Sequence, residues 1–400
     1  MNRVPTFAKV KTKRSWGCGV PPAALVGLGA LSLGYRGLLG FRNLLYGAGV
    51  FKSRRLPCPV IAIGNLTLGG TGKTPAVELA VRTLREAGIE PGVISRGYGR
   101  RGTGTRVVSD RQGLRLDPRS SGDEPFLLAR QLPGVPVVVG ENRFVAGRLC
   151  LERFRVQALV LDDAFQHRTL RKDLEVVLLN GRAPWGNGHL FPLGVLREPL
   201  TALGRADLIV VTRSAEADGF RQILTVIRQH NPAAPVVRGD YEPLECWEVH
   251  ATGTVGPEDL QGRKLAAFAG IAHPPDFRHT VERVGVTVTR FTQFPDHHWY
   301  SEEEMLSLAR EAERSGAEGL ITTEKDWARL SNLSLPELPL WVLRIRLTLG
   351  DGLGPWRTAL VEACRGKHGM NQTGLRAPAP PAQPVLGEVS EGAAEAPSDE

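Results

Sequence analysis

Short apolar segments alternate with segments of helical periodicity along most of the chain, beginning at Pro59. The apolar runs have the length of buried strands, and several are followed by amphipathic stretches long enough for helices. The predicted strands are 60–64, 91–95, 136–139, 158–161, 174–179, 207–212 and 235–238, and the predicted helices are 73–87, 141–154 and 216–229. This alternation predicts the α/β class, a mostly parallel sheet flanked by helices.

A second series of alternating segments begins near Lys264. Its predicted strands are 265–269, 286–291, 319–322 and 338–342, and its predicted helices are 276–284 and 302–315. We therefore expect a second, smaller α/β domain and a boundary within 241–262. The predicted parts are an N-terminal region 1–50, a first domain 51–245, a smaller domain 246–366 and a tail 367–400. The tail is rich in Pro, Ala, Gly and Glu, which predicts disorder.

The size and composition of the chain fit two domains. Its 400 residues exceed what one core usually organises, and a hydrophobic content of 42% is ample for folding. The five cysteines are widely and irregularly spaced, so they suggest neither a disulfide framework nor a metal knuckle. A reducing compartment is the expected location.

The formal net charge of +8 is concentrated at the N-terminus. No Asp or Glu precedes Glu78, whereas lysines and arginines are frequent there. Such a basic region favours an anionic surface, either nucleic acid or the inner leaflet of a membrane. The apolar segment 20–34 follows it, which is unlike a nucleic-acid-binding arm. We therefore expect a membrane surface as the partner and no nucleic acid.

The uncharged part of the predicted N-terminal helix is short relative to the thickness of a bilayer. The uncharged part from Ala23 to Tyr35 would extend about 20 Å at about 1.5 Å per residue, less than a hydrocarbon core of about 30 Å. Arg36 and Arg42 interrupt the longer apolar run. These features favour a helix that lies in the interface and anchors region 1–50. A tilted span, a cleaved signal peptide and a helix packed on the protein's own core are the alternatives.

A glycine-rich loop from Thr67 to Thr74 lies between the first predicted strand and the helix that follows it. Its glycines let consecutive backbone N–H groups turn toward one anion, and the helix start directs its positive dipole end there. Lys73 could reach terminal phosphates, and the Thr74 hydroxyl could ligate Mg²⁺. Thr67 stands where the strict phosphate-loop pattern has glycine, so an ordinary glycine turn is the competing interpretation.

Acidic residues supply the remaining candidate chemistry. Asp162 and Asp163 end an apolar strand, where a solvated turn or a metal site would place them. Asp123 precedes a helical segment and is either an N-cap or a base that accepts the proton of an alcohol. His297 and His298 follow a strand of the second domain, but no further ligands have zinc-site spacing.

These motifs together resemble the tetraacyldisaccharide 4'-kinase family. In chain order they are IGNLTLGGTGKTP at 63–75, SRGYG at 95–99, SGDEP at 121–125, DDAFQH at 162–167, GNG at 186–188, LREP at 196–199, AFAGI at 267–271, FPDHH at 294–298 and TTEKD at 322–326. The resemblance implies a P-loop NTPase-like fold and transfer of the γ-phosphate of ATP to the 4'-hydroxyl of a tetraacylated glucosamine disaccharide 1-phosphate. The product would be lipid IVA, made during lipid A biosynthesis at the cytoplasmic face of the inner membrane.

The resemblance also implies roles for individual residues. ATP and Mg²⁺ are the implied cofactors, the acylated disaccharide is the implied partner, and no obligate protein partner is inferred. The implied catalytic residues are Lys73, Asp123, Asp163 and His297, with His298 as the alternative to His297. The implied nucleotide-binding residues are Thr67, Gly69, Gly70, Thr71, Gly72, Lys73, Thr74 and Gln166. The implied metal ligands are Thr74, Asp162 and Asp163, and the implied substrate residues are Tyr98, Glu124, Arg143 and Glu198.

Two features depart from the family pattern, and two other functions compete with the kinase interpretation. Ala164 stands where many members have glycine, which predicts a right-handed or extended backbone there, and the tail after Gly366 is an extension. A membrane-associated GTPase is the first rival, but the chain has no Asn-Lys pair for guanine selection. A P-loop kinase for a soluble small molecule is the second.

Overall fold

A thirteen-stranded sheet forms the centre of the molecule in the computed structural model, which describes residues 21–214, 219–331 and 333–366. Its spatial order is β11-β10-β12-β13-β9-β8-β7-β1-β6-β2-β5-β3-β4. The strands are β1 Val60–Asn65, β2 Pro91–Ser95, β3 Arg106–Asp110, β4 Gly113–Leu114, β5 Val137–Val139, β6 Ala158–Asp162, β7 Leu174–Asn180, β8 Leu208–Thr212, β9 Val236–Glu248, β10 Lys264–Ala269, β11 Thr287–Gln293, β12 Gly319–Thr323 and β13 Leu340–Thr348.

Ten α-helices accompany the sheet within the described residues. They are α1 Pro22–Gly47, α2 Lys73–Glu86, α3 Pro118–Ser121, α4 Asp123–Gln131, α5 Arg143–Phe154, α6 Phe220–His230, α7 Pro274–Arg283, α8 Glu302–Arg314, α9 Glu324–Leu330 and α10 Leu353–Arg365. The first residues of the predicted helix 216–229, the basic leader 1–20 and the predicted tail lie outside the described residues.

The sheet is parallel except at three pairings, β9 with β13, β3 with β5 and β3 with β4. Strands β1, β2, β6 and β8 are buried along their whole length, because helices cover both faces of this part of the sheet. The prediction of a mostly parallel, helix-covered sheet is confirmed. The edge strands β3 and β4 and the last helix α10 were not predicted.

Strand β9 crosses the predicted domain boundary. Residues Val236 to Gly239 pair with β8 in parallel, and Asp240 to Glu248 pair with β13 in antiparallel fashion. The sheet is therefore continuous through 241–248, and its strand direction reverses between β9 and β13. The division into domains at 245 and 246 stays a prediction.

Helix α2 shows how the core is built. Its residues Ala76, Val77, Ala80, Val81 and Leu84 are fully buried at helical spacing and pack into the cluster that includes β1 and β6. The last helix, α10, covers α2 through buried Trp356, whose indole Nε1 donates to the hydroxyl of Thr83 on α2 at 3.2 Å. These contacts fix α2 between the sheet and α10.

Helix α1 is longer than the sequence suggested. It spans 26 residues, Pro22 to Gly47, or about 39 Å at about 1.5 Å per residue. Arg36 and Arg42 do not end the helix, so it continues beyond the uncharged part 23–35, and its placement in the interface stays a prediction. By length and composition, 23–47 could cross a membrane.

One face of α1 rests on the protein. Ser32 donates to the carbonyl of Leu190 at 3.0 Å, and the Tyr35 hydroxyl donates to the carbonyl of Arg197 at 3.0 Å. Leu39 is buried in the adjoining core cluster. The rest of the helix surface is largely apolar and exposed; its exposed large apolar residues are Leu25, Val26, Leu31, Leu33, Leu38, Phe41 and Leu44.

Candidate active site

The glycine-rich loop joins buried strand β1 to the start of α2. Gly69 and Gly72 have positive φ, 98° and 75°, whereas Thr67 is not in this region. A Cβ at Gly72 would lie 1.6 Å from the Tyr241 hydroxyl oxygen, so only glycine fits there. That hydroxyl donates to the carbonyl of Thr71 at 2.9 Å and closes the loop from β9.

Side-chain amides hold the loop from below. The Asn65 amide donates to the carbonyl of Thr67 at 2.8 Å and to the Thr71 hydroxyl at 2.9 Å. Gln166 donates its amide to the carbonyl of Asn65 at 2.8 Å. Thr67 forms a β-bridge with Leu196, which explains why an extended threonine replaces the usual glycine. The loop is thus fixed before any ligand binds.

Asp162 and Asp163 lie beside this loop at the end of β6. Asp162 is buried; its Oδ2 accepts from the Ser95 hydroxyl at 3.0 Å, and its Oδ1 has no partner. Burial raises the pKa of Asp162 to about 7, with Glu124 and Asp163 acting in the same direction and Lys73 opposing them. An unpartnered buried carboxylate oxygen at this position suits a cation.

Asp163 occupies the left-handed region with φ of 49°, whereas Ala164 has negative φ as predicted. Both oxygens of Asp163 lie 2.9 Å from Nη1 of Arg197, and Oδ2 lies 3.8 Å from Nζ of Lys73. Burial raises the pKa of Asp163, but Lys73 and Arg197 outweigh it and hold that pKa below its usual value. Asp163 is therefore an ionised carboxylate next to the loop lysine.

These residues fit Mg²⁺ as kinases hold it. Among the described residues no group of three or more His, Cys, Asp or Glu side chains forms a metal cage. Mg²⁺ usually keeps several waters and binds through one or two carboxylates plus substrate phosphates, so a cage is not required. Thr74, Asp162 and Asp163 all line the same cavity.

Asp123 and His297 meet across the cavity wall. His297, with φ of 61°, places Nδ1 at 2.9 Å from Oδ2 of Asp123. The same Oδ2 accepts from Nε and Nη2 of Arg329 at 2.9 and 2.5 Å. Burial raises the pKa of Asp123, but His297, Lys325 and Arg329 outweigh it and hold that pKa far below its usual value. Asp123 is therefore an ionised carboxylate, and Nδ1 of His297 donates to it.

His298 has a different environment. Its Nε2 lies 3.0 Å from Oε2 of Glu304, and its ring stacks on Phe294 with a centroid separation of 4.7 Å. Glu304 also accepts from the backbone N–H of Ser301 at the start of α8. His298 thus supports the beginning of a helix, whereas His297 faces the cavity.

A cavity of about 1310 Å³ brings most of the predicted residues together. Those that line it are Gly69, Gly70, Thr71, Gly72, Lys73, Thr74, Tyr98, Glu124, Arg143, Asp162, Asp163, Gln166 and His297. Thr67, Asp123 and Glu198 are not on its wall. Asp123 reaches the cavity only through His297, and Thr67 supports the loop from behind.

The four predicted substrate residues differ in position. Tyr98 is 68% exposed and Arg143 is buried at the start of α5. Glu124 accepts from Nζ of Lys325 at 3.1 Å. Glu198 is fully buried beneath the cavity, where its two oxygens lie 2.5 Å from Arg42 of α1 and 2.5 Å from Arg205. The structure therefore does not bring Glu198 to a position where it contacts a ligand.

Sequence reasoning gave no role to several residues of the site. Arg197 and Lys325 stand within recognised motifs, but nothing in the motifs shows that they contact Asp163 and Glu124. Arg329 and Tyr241 lie outside the motifs. In the sequence, Arg329 is only an arginine in a short apolar–polar segment and Tyr241 only a tyrosine in a polar stretch, so neither could be recognised as a site residue.

The site combines a glycine-rich loop at the start of a helix with two acids at the end of the neighbouring strand. A histidine–aspartate pair lies beside the same cavity. Together these features define a P-loop phosphotransferase. The chain matches the family model described as tetraacyldisaccharide-1-P 4'-kinase over residues 24–363. The protein belongs to this kinase family, which confirms the resemblance seen in its motifs.

Individual relatives agree with that assignment. The tetraacyldisaccharide 4'-kinase of Syntrophus aciditrophicus is 41% identical over 340 residues, covering 82% of this chain and 89% of the relative. That of Geobacter metallireducens is 42% identical over 309 residues, covering 76% and 88%. The crystal structure of LpxK from Aquifex aeolicus in complex with ATP superposes with a TM-score of 0.68 at 30% identity, covering 85% of this chain and 99% of that one.

Proposed function

We propose that this protein transfers the γ-phosphate of ATP to the 4'-hydroxyl of a tetraacylated glucosamine disaccharide 1-phosphate, giving lipid IVA in lipid A biosynthesis. The observation that carries this proposal is the shared cavity. Lys73 of the glycine-rich loop and His297, which is hydrogen-bonded to an ionised Asp123, both line this cavity. Family membership supplies the identity of the acceptor.

The phosphate groups of ATP bind the loop 69–74. Backbone N–H groups and the positive end of the α2 dipole face the anion, and Lys73 compensates the charge that spreads over the transferred group. Asp163 holds Lys73 and Arg197 at the edge of the loop. The cradle is set in advance by Tyr241 and Asn65, so little ordering accompanies binding.

The acceptor hydroxyl loses its proton to the His297–Asp123 pair. Because Nδ1 of His297 donates to Asp123, the other ring nitrogen, Nε2, is the acceptor. Of the pair, His297 lines the cavity, so it contacts the hydroxyl and Asp123 stabilises the imidazolium that forms. Asp123 thus acts through His297 and does not itself contact the acceptor hydroxyl.

Thr74, Asp162 and Asp163 would hold Mg²⁺. The ion would neutralise charge on the β- and γ-phosphate oxygens. The unpartnered Oδ1 of Asp162 is the protein atom that most directly suits it. Without a cation, Asp162, Asp163 and the triphosphate would repel one another.

The lipid substrate reaches this cavity at a membrane surface. Tyr35, Leu39 and Arg42 of α1 line the cavity, while the outer face of the same helix is apolar and exposed. An interfacial or inserted α1 would therefore place the cavity mouth beside the bilayer that holds an acylated disaccharide. The nucleotide is cytosolic, so the cavity belongs on the cytoplasmic face of the inner membrane. Tyr98, Glu124 and Arg143 are available there to the sugar.

The direct test is ATP-dependent labelling of purified acylated disaccharide in detergent micelles. We expect wild type to transfer the γ-phosphate and Lys73→Ala to be slower by about 100-fold or more, since one preorganised charge stabiliser is lost. Lys264→Ala removes an exposed lysine elsewhere and should retain wild-type turnover. Absence of labelling by folded wild type, or unchanged turnover in Lys73→Ala, would overturn the proposal.

A further inference from the structure

Arg329 of α9 is the most completely enclosed charged group next to the proposed base. Its side chain has no exposed surface, yet all of its guanidinium nitrogens find acceptors. Nε and Nη2 both donate to Oδ2 of Asp123, and Nη1 donates to the carbonyl of Gly270 at 2.9 Å. A buried guanidinium with this many directed contacts constrains the group it binds.

Asp326, one turn earlier on α9, holds Arg329 in place. Its Oδ1 lies 3.2 Å from Nη1 of Arg329 and also accepts from the backbone N–H of Gly270 and the hydroxyl of Tyr300. Its Oδ2 accepts from the Thr323 hydroxyl at 2.7 Å. Asp326 is therefore fully hydrogen-bonded and cannot rotate without breaking several contacts.

Asp123 is restrained from both ends by these contacts. Oδ1 accepts from the backbone N–H of Glu124 at 3.0 Å, while Oδ2 accepts from Arg329 and from His297. The remaining freedom of the pair lies in His297, whose side chain is 33% exposed. The orientation of the Asp123 carboxylate is thus fixed by α9, the helix between β12 and β13.

We infer that Arg329, braced by Asp326, is a positioning residue for phosphoryl transfer. It fixes the Asp123 carboxylate so that Oδ2 faces Nδ1 of His297, which in turn sets the orientation and tautomer of the histidine that meets the acceptor hydroxyl. Neither Arg329 nor Asp326 contacts the cavity. This inference rests on the proposed function, because it assigns these residues to the same proton transfer.

The charged groups around Asp123 give the expected pH behaviour. His297, Lys325 and Arg329 face its carboxylate, and Glu124, Asp296 and Asp326 lie one contact further out. Arg329 and Lys325 both lower the pKa of Asp123. Loss of the arginine removes a positive charge that lies beside the His297–Asp123 pair, so the pair takes up a proton more readily and the acid limb of kcat moves to higher pH.

The test compares Arg329→Gln, Arg329→Lys and the wild-type full chain in the labelling assay across about pH 5 to 9. We expect Arg329→Gln to lower kcat about 100-fold, the usual contribution of a general base. Its KM for ATP should change less than about threefold, and its acid limb should rise by about one pH unit. Arg329→Lys keeps the charge but not the planar fork, so its kcat should fall about tenfold with the acid limb unmoved.

Arg344→Gln is the matched control. Arg344 is another largely buried arginine, held by Glu78 and Glu245 at 2.7 Å each, and it has no contact with Asp123. We expect its variant to lose thermal stability without a shift of the acid limb. An Arg329→Gln profile parallel to that of Arg344→Gln, or wild-type kcat in Arg329→Lys, would overturn the inference.

Failure of the inference and failure of the proposed function are distinguishable. If wild type labels the disaccharide and the arginine variants behave like Arg344→Gln, only the positioning role is wrong. If folded wild type transfers no phosphate, the function is wrong. Should Arg329→Gln fail to fold, Arg329→Lys and Asp326→Asn carry the same comparison, with Asp326→Asn expected to lower kcat and leave ATP binding intact.

Discussion

Asp123 illustrates how a single buried carboxylate is kept ionised. It is 5% exposed, and isolated burial of a charge of this kind would be strongly unfavourable. Arg329 and His297 compensate by direct hydrogen bonds, so the lowered pKa records a net attraction that outweighs desolvation. Removing the charge would leave Arg329 with only part of its partners.

We therefore expect Asp123→Asn to be destabilised by about 3 kcal/mol near neutral pH, the scale of a broken buried ion pair. The pKa of Asp123 is lowered in the folded state, so its stabilisation is complete above the ordinary value of about 3.9 and is lost as the pH falls below it. The difference in free energy of unfolding between wild type and variant should narrow below about pH 4.

Urea denaturation at several pH values measures this difference. Asp110→Asn is the control, because Asp110 pairs with Arg115 near the surface and should contribute less than about 1 kcal/mol. A gap for Asp123→Asn that is as small as that of the control, or that does not change with pH, would contradict the expectation.

Individual site residues could be predicted from the sequence, but the residues that contact them in the fold could not. Lys73 and Thr74 are recognisable because the loop is contiguous and its backbone geometry follows from its glycines. Arg329 approaches Asp123 from 206 positions away along the chain, and no local pattern encodes such a contact. Glu198 had a predicted substrate role, but two arginines hold it in a buried position.

Among the elements, α1 departs most from its expected form. The two arginines that were expected to limit it lie on different sides: Arg36 is exposed, whereas Arg42 turns inward to Glu198. Pairing of Arg42 with a buried carboxylate lets the helix continue to Gly47. The result is a helix with one face bound to the protein and an exposed face of leucines and phenylalanine that no described part of the protein covers.

This exposed face should bind membranes. Leu38→Glu places a charge at its centre, where Leu38 is 70% exposed. Burial of a leucine is worth about 1.5 to 3 kcal/mol, so we expect cosedimentation with vesicles containing anionic lipid to weaken at least about tenfold. Leu306→Glu, the same change at a 47% exposed leucine of α8, is the control and should bind like wild type. Equal binding of the two variants would show that α1 is not the membrane contact.

The second half of β9 also escaped prediction from the sequence. The second half of β9 carries Glu242, Pro243 and Glu245, a composition typical of a loop. Its strand form depends on β13, where Arg346 stands opposite Glu242 and Arg344 opposite Glu245 in the antiparallel register. These cross-strand charge pairs are tertiary, so periodicity within one segment does not predict them.

In the whole molecule, the cavity draws on both series of strands. The loop after β1 and the acids after β6 come from the first series, and His297 after β11 comes from the second. The two series were predicted from alternation alone, but the single continuous sheet that joins them was not. Binding of a ligand in the cavity should therefore stabilise the described structure as a unit.

Nucleotide binding in this cavity should raise the thermal stability of the protein. A ligand at 100 times its Kd stabilises the native state by about 2.7 kcal/mol, which for a chain of this size corresponds to a Tm rise of a few degrees. The rise in Tm should be larger with ATP and Mg²⁺ than with ATP alone, since the cation relieves repulsion between the triphosphate and the acids at 162 and 163. AMP lacks the β- and γ-phosphates, which Lys73 would contact, and should give little shift.

Thermal unfolding followed by circular dichroism measures these shifts in wild type and two lysine variants. Lys73→Ala should lose most of the shift from ATP with Mg²⁺, because its side chain supplies the positive charge inside the loop. Lys264→Ala should retain the shift, since that lysine is exposed and does not line the cavity. A full shift in Lys73→Ala, or an equal shift with AMP, would place the nucleotide outside the loop 69–74.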